Sequence, residues 1–314
     1  WINLLVAWNY KKHLTVRKFL GRELMMVRGG TGPPDDSSSL SSMHRSVRCG
    51  NDTILLKLVF KREEENTKKK LPIVLFLGGA DCPAESYMWL ATRLAQEGYC
   101  VVLSSCVVSL GESNTMLLPT PYDMSLLSSL EAYKKNPATQ GLQNILQDLA
   151  SMEFLDSKRL VVGGHSTGGR IVLDLVSFDN PFADIKAAFS YGASLVNSND
   201  SPLGKRGAVQ PSDRSQTPSP PLLLLGGSQD GISAVLSKSQ KDPTETLERT
   251  FEEAFSANHD GDVDWIVFNG ANHMAFCSPV DPTCGATQRD WASSVDTEIA
   301  REVMGTAIAD FCNN

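Results

Sequence analysis

Gly164-His165-Ser166-Thr167-Gly168 constrains the fold of this chain more than any other stretch. The apolar run Leu160-Val161-Val162 leads into it, and Ile171, Val172, Leu175 and Val176 leave it at helical spacing. A serine between a strand and a helix is forced onto a sharp turn at the top of a sheet. Glycines two before and two after it remove side chains that so tight a turn would crush. The hydroxyl then lies beside a helix N-terminus, whose free N–H groups stabilise a developing oxyanion. A glycine-rich βα turn without chemistry is the plain alternative. The strand before and the helix after favour a nucleophile.

The same alternation runs through the rest of the chain. Strands are predicted over residues 53–60, 72–77, 100–103, 159–163, 185–191, 222–225 and 263–268. Helices are predicted over 84–97, 123–135, 138–150, 243–257 and 290–311. Strands alternating with helices imply an α/β fold, a mostly parallel central sheet with helices on both faces. Sites in such sheets form beyond the C-terminal strand ends. Residues 105–121 read as an irregular connection, and 61–70 as a charged hairpin loop. Residues 197–221, with five prolines among Ser, Asp and Gly, read as a long surface loop. No internal repeat and no second globular domain is visible. The organisation expected is a basic N-terminal extension and Ser/Pro/Gly-rich linker over 1–48, then one catalytic domain over 49–314.

Bulk properties agree with one large globular, soluble domain: 314 residues, 41% hydrophobic and 21% charged. The net charge of −7 argues against nucleic acid as a partner. Residues 1–48 nevertheless hold eight Lys/Arg against three Asp/Glu. The first residue is Trp1, which reads as a processed, trimmed or fragment start. Residues 1–28 mix Leu4, Leu5, Val6, Trp8, Leu14, Phe19 and Leu20 with six basic side chains. Such a segment fits the remnant of a peptide for organelle targeting or secretion, an interfacial helix touching a membrane surface, or an ordinary extension. No run is long and apolar enough to span a bilayer. Seven cysteines form no C-x-x-C pair, so no zinc site is expected. Cys100 reads as a core thiol, and Cys277 and Cys284 flank a loop that a disulfide could close.

Serine is a poor nucleophile until a base takes its proton, and that base needs an orienting acid. Ser166, Asp230 and His273 each follow a predicted strand, in the chain order serine, acid, histidine that α/β-hydrolases use. His165 adjoins the serine and is expected to order the turn. His259 precedes the last strand, and His13 and His44 lie in the extension. Asp200 is the reserve acid, and Asp174, on the helix after the turn, reads as structural. For Asp230 the alternative role is a helix N-cap. Oxyanion donors are expected from the Thr167 N–H and from Gly79 or Ala80 in the loop after Leu77.

From about Pro72 to Phe311 the chain resembles compact α/β-hydrolases of the dienelactone-hydrolase-like group, in particular alpha/beta hydrolase family 5. Four stretches carry the resemblance. They are Phe76-Leu77-Gly78-Gly79 with Tyr87 and the segment Leu94-Ala95-Gln96-Glu97-Gly98-Tyr99; Gly163 to Gly169; Gly227-Ser228-Gln229-Asp230-Gly231; and Asn269 to Phe276 around His273. Chlorophyllases are more distantly similar, through a Gly-His-Ser-x-Gly-Gly turn. The resemblance implies carboxylic-ester hydrolysis through an acyl-enzyme, with no metal or organic cofactor. It departs from the wider fold in lacking a His-Gly-Gly-Gly oxyanion motif and in placing Thr167 after the serine. The expected substrate is a small-molecule or lipid-like ester. Two other readings stay open at this level. The same triad serves acyl transfer to an alcohol or thiol, and a silent α/β-hydrolase fold serves binding alone. Oligomeric state is not legible.

Overall fold

A computed structural model describes residues 39–62, 69–109, 115–122, 135–177, 185–194, 219–235, 242–255 and 262–314. Among these, nine strands form one sheet: β1 (Leu40–Cys49), β2 (Asp52–Lys61), β3 (Leu71–Leu77), β4 (Cys100–Ser109), β5 (Thr115–Leu118), β6 (Leu155–His165), β7 (Ile185–Tyr191), β8 (Leu222–Gly227) and β9 (Val263–Phe268). The spatial order is β1-β2-β4-β3-β6-β7-β8-β9, with β5 paired to β4. From β4 across to β9 every neighbour is parallel, while β1, β2 and β5 join antiparallel. The predicted mostly parallel sheet is the one observed.

Side-chain alternation splits the core into two layers. Ile73, Leu75 and Leu77 of β3 face one layer, together with Leu142, Ile145 and Leu149 of α2 (Pro137–Ala150) and Ile171 and Leu175 of α3 (Thr167–Ser177). Val74 and Phe76 face the other, with Leu90 and Leu94 of α1 (Met88–Gln96) and Met304 and Ile308 of α7 (Thr297–Asn313). Covering both faces is why the central strands read as unbroken apolar runs. Shorter helices α4 (Gly231–Ala234), α5 (Pro243–Arg249) and α6 (Gly285–Arg289) follow β8 and β9. No described helix is long and apolar enough to cross a membrane.

Three expectations are corrected. The Ser-rich stretch assigned to the linker ends in β1, which pairs with β2 from Leu40–Lys61 to Cys49–Asp52 around Gly50-Asn51. Only Val47 and Cys49 of this edge strand are buried, so its polar composition hid it. Residues 105–121 are not irregular throughout: β4 runs on to Ser109 and turns back as β5. The last helix begins at Thr297, where the Asp296 carboxylate accepts from Glu298 N and Ile299 N. The expected 123–135 helix, nearly all of residues 197–221, and residues 1–28 lie outside the described residues.

Candidate active site

The turn after β6 holds Ser166 at φ +54°, the left-handed region that side chains rarely adopt. Packing allows nothing else there. A Cβ on Gly164 would run into the Gly168 carbonyl carbon, and one on Gly168 into the Leu77 carbonyl oxygen. The Ser166 N–H donates to Tyr191 O at the end of β7 (2.9 Å), and the Gly168 N–H donates to Gly78 O (3.1 Å). The serine is thus fixed between the ends of β3 and β7, with its side chain half-buried at the start of α3.

Asp230 and His273 arrive from the ends of β8 and β9 and are both buried. The His273 Nδ1 lies 2.9 Å from Asp230 Oδ2. Asp230 also accepts from Ser233 N at 2.7 Å and from Ser233 Oγ at 2.9 Å, so it caps α4 as well. Asp230 thus bonds the imidazole and caps α4 at once. Burial alone would raise the Asp230 carboxyl, but the His273 charge and hydrogen bond and the Ser233 donors hold it below its ordinary value. Burial pushes His273 down, and Asp230 outweighs it, leaving the imidazole above its ordinary value. The His273 Nε2 is buried without a hydrogen-bond partner among the described residues. Gly192 makes room for the pair: at φ +61°, a Cβ there would sit 2.7 Å from His273 Nδ1.

A second layer of hydrogen bonds lies beneath. The Gly79 N–H donates to Tyr87 Oη (2.8 Å), and Tyr87 Oη lies 2.9 Å from His165 Nδ1. His165 Nε2 lies 3.1 Å from the His273 carbonyl oxygen. The carbonyl can only accept, so Nε2 carries the proton and Nδ1 accepts from the tyrosine. Burial keeps His165 neutral by lowering its pKa, which suits both bonds. The chain of bonds runs from the loop after β3 to the loop that holds His273. Phe276 stacks on Tyr191 (centroids 4.7 Å) and His165 (5.6 Å), closing this layer in aromatic rings.

This layer corrects one expectation and fulfils another. Gly79 cannot serve as an oxyanion donor, because Tyr87 takes its N–H. The amides of Ala80 and Thr167 have no described hydrogen-bond partner outside helices and strands. His165 orders the turn, as its position beside the serine suggested. Asp174 is structural, accepting from Tyr122 Oη (3.1 Å) and Arg170 Nε (3.3 Å). His44 sits exposed on β1, and His13, Asp200 and His259 lie outside the described residues. All seven cysteines are free. Cys277 faces Cys82 (3.9 Å) while Cys284 faces Ala80 O, so Cys277 and Cys284 are not bridged.

Three positions that hold this arrangement together escaped the sequence. Tyr87 stood in the resemblance but as one apolar member of a helical repeat. Gly192 carries no motif. Asp290 lies far along the chain, yet its carboxylate accepts from Gly231 N and Met274 N, both at 2.9 Å, joining the acid turn to the histidine loop.

Comparison with known proteins agrees with this architecture. A ferulic acid esterase from Streptomyces cinnamoneus superposes with TM-score 0.56 at 17% identity, over 88% of this chain and 88% of its own. A dienelactone hydrolase-like promiscuous phosphotriesterase from metagenomic libraries gives 0.55 at 15% identity, over 88% and 98%. An S-formylglutathione hydrolase from Agrobacterium tumefaciens gives 0.52 at 11% identity, over 87% and 94%. At such identities these likenesses concern the fold, which is that of α/β-hydrolases. No curated protein sequence matches significantly. The family model for the dienelactone hydrolase family matches residues 59–297, most of the chain, including the ends of β3, β6, β7, β8 and β9. The chain belongs to the dienelactone hydrolase family.

Proposed function

We propose that this hydrolase cleaves a carboxylic ester, small or lipid-like, through a Ser166–His273–Asp230 triad and an acyl-enzyme. One observation carries the reading. His273 offers a buried, unpartnered Nε2 while Asp230 holds its Nδ1, and the ring packs against Gly192, next to the Tyr191 carbonyl from which Ser166 hangs. A buried nitrogen without a partner is costly unless it has a proton to receive.

In this mechanism Ser166 Oγ attacks the ester carbonyl as His273 Nε2 takes the hydroxyl proton. Asp230 fixes the Nδ1–H tautomer and stabilises the imidazolium. The N–H groups of Thr167 and Ala80 hold the oxyanion. His273 returns its proton to the leaving alcohol, and water, with His273 again as base, releases the acid. The triad nitrogen and hydroxyl tighten onto each other as substrate fills the site, as apo sites commonly do. The Ser166→Ala variant should fold normally and lose ester turnover by roughly 10⁴- to 10⁶-fold. Turnover near wild type, with a circular dichroism spectrum unchanged, would overturn the mechanism.

A further inference from the structure

Two buried thiols and one imidazole nitrogen converge beneath the site, and the mechanism uses none of them. Cys82 lies in the loop after β3, His165 ends β6, and Cys277 follows the histidine loop. Cys277 Sγ is 3.9 Å from Cys82 Sγ and 3.8 Å from His165 Nδ1, and the three donor atoms lie within 4.8 Å of one another. All three residues are buried. Cys277 and Cys82 are 195 positions apart, and Cys277 and His165 are 112 apart, so only the fold brings them together.

The separations have a specific meaning. A tetrahedral ion with metal–sulfur bonds of ~2.3 Å and metal–nitrogen bonds of ~2.0 Å sets sulfur–sulfur edges of about 3.8 Å and sulfur–nitrogen edges of about 3.5 Å. The observed distances to Cys277 lie within a few tenths of an ångström of these edges. By contrast, a disulfide would need the sulfurs at ~2.05 Å, about half their present separation. The imidazole is oriented as a ligand should be. Its Nε2–H is spent on the His273 carbonyl (3.1 Å), which leaves Nδ1 unprotonated, with the Tyr87 hydroxyl at 2.9 Å and the Cys277 thiol at 3.8 Å. The Tyr87 oxygen, 3.8 Å from Cys277 Sγ and 2.9 Å from His165 Nδ1, lies beside the same centre.

We infer that Cys82, Cys277 and His165 hold a thiophilic d¹⁰ cation of the zinc(II) class. On binding, both thiols release their protons to solvent and form sulfur–metal bonds. The His165 lone pair exchanges its hydrogen bond from Tyr87 for a nitrogen–metal bond. Two thiolates and a dication leave no net buried charge. Such an ion ties the oxyanion loop, the nucleophile turn and the histidine loop together from below. The inference stands independently of the esterase reading.

The test is cobalt(II) titration of the full chain, reduced and stripped of metal by chelation. One equivalent should produce thiolate-to-cobalt charge transfer and the visible bands of a tetrahedral ion, and zinc(II) should displace it. Cys82→Ala and Cys277→Ala should each abolish the signal, and Cys312→Ala should keep it. Absorption-edge spectroscopy of the wild-type zinc form should show two sulfur ligands and at least one nitrogen, a readout that needs no variant to fold. Absence of charge transfer, its persistence in both alanine variants, or a shell without two sulfurs would each reject the site. So would a Cys82–Cys277 disulfide in the native protein that, once reduced, binds no cobalt.

Discussion

Tyr87 acts through other groups: its hydroxyl accepts from the Gly79 amide and donates to His165, while its ring packs on Phe76 at 4.9 Å. Tyr87→Phe keeps the ring and strands a buried amide, which costs about 1–3 kcal/mol. We expect that loss in denaturant unfolding. We also expect a fall in kcat with KM little changed, because the loop that carries Ala80 loses its tether. A variant as stable and as fast as wild type would remove the tyrosine from the account. The pH dependence is set at His273. In the proposed mechanism it must be neutral to accept a proton; burial lowers its pKa, and Asp230 outweighs that and holds it above the ordinary 6.5. The kcat/KM profile should therefore fall as pH drops through a value above 6.5. In Asp230→Asn the main raising influence is gone, leaving the smaller one of Asp290 against burial, so the acid limb should move to lower pH. Overall kcat/KM should fall by roughly 10³- to 10⁴-fold. An acid limb that stays in place would separate Asp230 from the titrating group.

Elements meet at the site through main-chain and carboxylate clamps. Asp290 joins the start of α4 to the histidine loop, and Asp81 joins the loop after β3 to β5 by Asp81 N–Leu117 O (2.8 Å) and Leu117 N–Asp81 Oδ1 (3.1 Å). Burial raises the Asp290 carboxyl above its ordinary value, against the lowering effect of the two amide donors and the His273 charge. Asp290→Ala leaves two buried donors unmatched and should lower stability by about 1–3 kcal/mol. Its larger effect should be on kcat, since Asp230 and His273 then lose their common anchor; unchanged kcat in the folded variant would contradict this role. The elements themselves were largely legible. Strands 185–191 and 263–268 appear at their predicted bounds, because short apolar runs between turn residues have few other uses. β1 and β5 were not legible, since an antiparallel edge pair needs only a partner and one apolar face. The Gly50-Asn51 turn was the signal available for β1.

Over the whole molecule, topology brings together what the sequence spreads out. The ends of β6, β8 and β9 deliver serine, acid and histidine to one edge of a sheet whose faces are closed by two apolar layers. Those three positions could be read because each follows an apolar strand and precedes a turn. The groups that hold them, Tyr87, Gly192 and Asp290, could not. Their roles depend on hydrogen bonds and clearances that exist only between loops distant in the chain. The same reasoning separates the oxyanion candidates, where neighbouring glycine and alanine amides look alike until one is found paired. The central claim is that Ser166 is an activated nucleophile, and covalent labelling with a fluorophosphonate probe tests it most directly. Wild type should take up one probe per chain, mapped by peptide mass to Ser166, and Ser166→Ala should take up none. A folded wild type that resists labelling, or a label on any other residue, would contradict it.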